Sequence, residues 1–148
     1  MQKSKIEIGS FLILFMSMYI LVMSILWIFL TEIMFVSDFA YVTGYQFSEH
    51  PDTVLSGFYI ITKKLIGFIL LANGFMILLI NQKSYRKGEK WSWYAILIGG
   101  GISWGTFIGY KIFIGYIGLS MITFAIGAIL LVIGLGFPAK EILRRSSA

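Results

Sequence analysis

Cysteine is absent from this 148-residue chain, histidine occurs once and proline twice, and Asp, Glu, Lys and Arg together make up only 13% of it. Each shortage removes a class of function. Without a thiol there is no thiol–disulfide exchange, no disulfide-pinned loop and no thiolate ligation of zinc or iron–sulfur centres. The lone imidazole, His50, cannot supply both axial ligands of a bis-histidine haem. So little charge does not suit an ordinary soluble domain, which carries about 25% charged residues. A disordered chain is excluded too, because it needs low hydrophobicity and high net charge. What fills the chain instead is apolar: 58% hydrophobic and 17% aromatic residues, with a mean hydropathy of +0.87. The expected class is an all-α integral membrane protein.

Four apolar stretches set the expected spans. Residues 8–31 hold no charge over 24 positions, about 36 Å of helix and enough for a hydrocarbon core of about 30 Å. A cleaved signal peptide would need a shorter apolar core and a small-residue cleavage site after it, so this segment is expected to stay as the first span. The second covers residues 53–82 and is interrupted only by Lys63 and Lys64, whose long stems let the ammonium groups snorkel to the interface. Residues 91–110 make the third and 112–137 the fourth, the latter ending before Pro138, because proline stops or kinks a helix. Basic residues orient the set. Lys3, Lys5, the turn 83–90 with Lys83, Arg86, Lys87 and Lys90, and the tail with Lys140, Arg144 and Arg145 fall on one side, against Lys63, Lys64 and Lys111 on the other. Both termini are then expected in the cytoplasm, in a multi-pass protein of the cell membrane. The net charge of +5 serves topology and attraction to membrane lipids; nucleic acid is not an expected partner.

Helices in lipid associate through close contact between small residues and through polar glue. Small residues recur every seven positions in each span: Ser10, Ser17, Ser24 and Thr31; Gly67, Gly74 and Asn81; Ser92, Gly99 and Thr106; Ser120, Gly127 and Gly134. Seams of that period call for a left-handed four-helix bundle. The third span carries a second row, Gly101, Gly105 and Gly109. Its spacing fits a contact with the fourth span across a short turn near Lys111, which is the favoured reading, or else a homodimer face or a protein partner's docking row.

Ionisable residues deep inside a span mark transport or proton relay, and the central parts of these spans hold none. Near the outer boundary, Glu32 stands at the height of Lys63 and Lys64, and a contact between acid and base is expected there. Lys63 is the bundle-facing choice because it shares a face with Gly67 and Gly74. The lysines then either snorkel into head groups or form the mouth of a site for an anionic ligand. Segment 32–52 holds Phe35, Phe39, Tyr41, Tyr45 and Phe47; it is too aromatic for a floppy linker and is expected to lie on the bundle or membrane surface. Glu49, His50 and Asp52 make no metal set, since adjacent side chains diverge and no second histidine completes it. Asn73, a single mid-span amide, is expected to bond to Ser103, Thr106 or Thr123. No nucleophile with its base, no paired intramembrane carboxylates and no phosphate-cradling loop is present, so neither catalysis nor a cofactor is expected.

Residues 63–94, KKLIGFILLANGFMILLINQKSYRKGEKWSWY, resemble the central part of small four-span membrane proteins of the DoxX-like and related groups. Those pair a basic residue and glycine at the head of span two with a cytoplasmic turn that here reads Arg86, Gly88, Glu89, Trp91, Trp93 and Tyr94. The resemblance implies the four-span fold. Because some DoxX-related proteins look like membrane subunits of quinone-linked oxidoreductases, it also implies an accessory role without a redox centre of its own. The expectation is a non-catalytic membrane protein, an accessory subunit of a complex. The alternative is binding or transport of a lipid, quinone or small amphiphile, and a cavity from the outer mouth toward Asn73 would favour it.

Overall fold

The computed structural model describes residues 4–34, 36–46, 53–115 and 118–144. Helix α1 (Lys5–Phe29) begins at a reciprocal cap: the Ser4 hydroxyl accepts from the Glu7 amide, and the Glu7 carboxylate accepts from the Ser4 amide, satisfying two amides that a helix start leaves open. Two short helices follow, α2 (Thr31–Met34) and α3 (Val36–Thr43). Then come α4 (Thr53–Lys83), a 3-10 turn (Tyr85–Lys87), α5 (Lys90–Ile114), α6 (Leu119–Gly136) and α7 (Ala139–Arg144). Gly88 and Gly115, at φ +79° and +70°, close the 3-10 turn and α5 in a conformation that any side chain would strain.

Helices α1, α4 and α5 are each long and apolar enough to cross a membrane. Their surface is inverted relative to that of a soluble bundle. On α1 the serines at 10, 17 and 24 are buried, whereas Phe11, Phe15 and Phe29 are 64%, 58% and 76% exposed. The inversion is compatible with a hydrocarbon solvent, in which outward phenylalanines are not penalised while inward small residues let backbones approach. The buried hydroxyls of Ser17 and Ser24 donate to the carbonyls of Leu14 and Leu21, one turn back.

The long helices form a ring in which α1 packs on α4 and α6, and α5 packs on the same two from the other side. Glycines set the closest approaches: Gly67 lies against Ile28, Gly74 against Ile20 and Leu21, Gly134 against Ile13, and Gly127 against the Trp104 indole. Polar clasps tie the end that carries the termini. Ser10 Oγ donates to Asn81 Oδ1 (3.1 Å) while Asn81 Nδ2 donates to the Ser10 carbonyl (3.0 Å). Tyr85 Oη and Trp93 Nε1 donate to the carbonyls of Gly134 and Leu135, at 2.7 and 3.0 Å.

Three expectations change here. The third long helix does not stop at residue 110, nor does the fourth begin at 112; α5 runs through Lys111 to Ile114, the chain turns at Gly115, and α6 covers Leu119–Gly136. A buried carboxylate, described below, partners Lys111 and removes the need for that cation to leave the bundle. The row Gly101, Gly105 and Gly109 does not pack on the fourth long helix: a Cβ built at any of the three meets nothing within 4 Å. The contact with α6 is made by Gly100 against Leu131 and by Trp104 against Gly127. Trp104 and Gly100 lie on one face, and the glycine row begins one residue further on, rotated by about 100°. The bulk of the indole thus decides which face turns inward.

Candidate functional site

At the end of the ring remote from both termini lies a cavity of about 270 Å³. Its floor is aromatic. The Trp27 ring stands edge-on to Phe107 and Phe124, with centroids 5.4 and 5.8 Å away, and Phe107 stacks on Phe124 at 5.1 Å. Spacing on α5 accounts for part of this: Gly100, Trp104, Phe107 and Lys111 follow one another at intervals of four, three and four, the rhythm of a single helix face. The floor and the charged rim therefore share an inward stripe.

The rim is charged yet withdrawn from solvent. Lys111 Nζ lies 2.5 Å from Asp38 Oδ2, with side chains only 1% and 2% exposed. Lys63, 6% exposed, holds its ammonium 5.1 Å from the ring centroid of Tyr59 and 4.7 Å from that of Tyr110, within the range of cation–π attraction. Desolvating charges is costly unless partners compensate, and the rim supplies an opposite charge for Lys111 and aromatic faces for Lys63.

Asp38 reaches the cavity because α3 lies across the ends of α4 and α5. Its neighbour Phe39, 1% exposed, packs edge-on to Tyr59 at 5.1 Å, and Tyr41 Oη donates to the Gly115 carbonyl at 3.4 Å. Where α1 gives way to α2, the Thr31 hydroxyl donates to the Trp27 carbonyl. The turn swings Glu32 outward and the buried pair Asp38 and Phe39 inward.

The residues singled out in the sequence separate accordingly. Lys63 lines the cavity and Lys64 is only half-buried. Glu32 is exposed, and the acid facing the lysines is Asp38, six residues further on. Asn73 donates to Ser103 Oγ (2.7 Å) and to the Gly99 carbonyl (3.4 Å). On α4 the lining ends at Ile66, two turns short of Asn73, so the cavity does not extend to it. Glu49, His50 and Asp52 lie outside the described residues.

Position along the chain does not distinguish Asp38 and Lys111 from charges of the outer surface. A signal existed for each. Lys111 is followed by Ile112, Phe113 and Ile114 with no turn-forming residue before Gly115, and Asp38 adjoins Phe39 and Ala40 in an apolar run.

A second, more open groove of about 490 Å³ lies at the other end between α1 and α4, but its buried amide, Asn81, is bonded to Ser10. No protein-family model matches the chain, and neither a curated protein nor a solved structure matches it.

Proposed function

We propose that the chain is a four-span protein of the cell membrane, with both termini cytoplasmic, that binds a small amphiphile in the cavity at its outer end. The cavity carries this reading: an aromatic floor of Trp27, Phe107 and Phe124 beneath a rim of Asp38, Lys63 and Lys111 pairs an apolar bed with polar groups that orient a head. Ligand pockets run from about 300 to 1,000 Å³, so about 270 Å³ suits a single ring or a short chain rather than a whole phospholipid. Two features support the topology: the excess of basic residues at the end carrying the termini, and the 18 residues of α6, about 27 Å of helix, packed between α1 and α5.

Extraction of the tagged protein from its native membrane into nanodiscs, followed by mass spectrometry, tests the proposal. A stoichiometric small amphiphile is expected with the unaltered chain and is expected to be lost from Thr106→Trp, which fills the cavity. Retention by that variant, or recovery of none from either, overturns it.

A second reading, a DoxX-like accessory subunit of a membrane complex, draws on the uncovered row Gly101, Gly105 and Gly109, which a neighbouring helix could approach closely. In the same preparation it calls for a stoichiometric protein partner, cross-linked through Gly105→Cys in a chain that has no cysteine of its own.

A further inference from the structure

Resting on the amphiphile reading above, we infer that the ligand is acidic and that its anionic head exchanges with the Asp38 carboxylate on Lys111, releasing α3. The two cations and the anion of the rim belong to different kinds of element. Lys63 and Lys111 project from the long helices α4 and α5, whereas Asp38 is carried by α3, of eight residues. A helix that short has little stability of its own. Its attachment to the frame includes the Asp38–Lys111 ion pair, the edge-on packing of Phe39 against Tyr59, and the Tyr41 bond to the Gly115 carbonyl.

Exchange follows from charge balance at a pair whose side chains are only 1% and 2% exposed. A buried cation stripped of its carboxylate is strongly disfavoured, so Asp38 can leave Lys111 only when another anion takes its position. A carboxylate or phosphate head supplies that anion, with its apolar part resting on Trp27, Phe107 and Phe124. A neutral head leaves the Asp38–Lys111 pair in place, and a cationic head meets two ammonium groups. The selectivity expected is acid over alcohol over quaternary ammonium. The protein's own carboxylate acts as a tethered competitor, which makes α3 a reporter of occupancy.

The test uses the full chain in phosphatidylcholine nanodiscs with three terminally brominated eight-carbon probes: the carboxylate, the alcohol and the trimethylammonium. Bromine quenches nearby indole fluorescence, and Trp27→Phe identifies the part that arises at the floor. The carboxylate is expected to bind at least tenfold more tightly than the alcohol, and D38N to tighten it by about a further tenfold, by removing the competitor. Deuterium uptake over Val36–Thr43 is expected to rise with the carboxylate and not with the alcohol. The D38N/K111M double variant, which removes both members of the pair and keeps Lys63, is expected to lose most of the preference for acid over alcohol, and retained alcohol binding shows that it is folded. Equal affinity for acid and alcohol in the unaltered chain, or no response to D38N, overturns the exchange and leaves amphiphile binding standing. Failure of all three probes to reach Trp27 overturns both. Adding phosphatidylglycerol to the nanodiscs tests the source of the head: no competition is expected of a free acid sized to the cavity, and competition overturns that source in favour of a bilayer lipid whose head alone enters.

Discussion

Asp38 and Lys111, 73 residues apart in the chain, meet as a 2.5 Å ion pair closed off from solvent at the edge of an apolar cavity. Removing one partner of such a pair strands the other charge, at a cost of roughly 3–5 kcal/mol, whereas replacing both with hydrophobic residues of similar volume is often nearly neutral. K111M is therefore expected to lower stability by several kcal/mol, and D38L/K111M to recover most of the loss. Reversible unfolding in mixed detergent micelles measures both. A double variant as unstable as the single one would show that the two charges are not energetically coupled.

The opposed glycine rows give a second comparison. A methyl group at Gly127 collides with the Trp104 indole, and one at Gly105 meets nothing. Overpacking a filled site costs about 1–3 kcal/mol, whereas a surface substitution stays within about 0.5 kcal/mol. G127A should destabilise the isolated protein, and G105A should not. A large loss from G105A would mean that another surface covers the row even in the monomer.

Asn81 and Ser10 are joined by two hydrogen bonds, one of which uses the Ser10 backbone carbonyl. N81A removes both and S10A only one. Hydrogen bonds between membrane helices contribute about 0.6 kcal/mol on average and at most about 1.7. The expected order of stability is unaltered chain, then S10A, then N81A, with about 1 kcal/mol across the series. An S10A loss equal to that of N81A would contradict the reciprocal geometry.

Glu89 provides the pH-dependent element at the opposite end. Hydrogen bonds from Ser84 and Trp91 hold its carboxyl below the ordinary value of 4.5, with Trp91 Nε1 donating to Oε2 at 2.6 Å. Because the folded-state value is depressed, the stabilisation is present above the ordinary carboxyl pKa and is lost as pH falls through the lowered value. The indole N–H resonance of Trp91 is expected to hold steady from neutral pH to about pH 5 and to shift only below the ordinary carboxyl range. E89Q should abolish that step. A midpoint above 4.5 would reverse the sign and discard the assignment.

The all-helical character of this chain and three helices long and apolar enough to cross a membrane were legible in the sequence, because a long apolar run satisfies its backbone in lipid only as a helix; the ends of α5 and α6 were not. The buried face of α1 was legible for a related reason: Ser10, Ser17 and Ser24 keep one angular position along the helix. Of the candidate site only Lys63 was legible. Pairing of Asp38 with Lys111 depends on how α2 and α3 fold back over the bundle and on α5 continuing past residue 110, and neither is encoded by local composition. The choice between two adjacent faces of α5 was likewise beyond the sequence pattern. Glycine rows permit close approach on either, and the volume of Trp104 seated on Gly127 decides which one turns inward, since packing excludes a second arrangement once that space is filled.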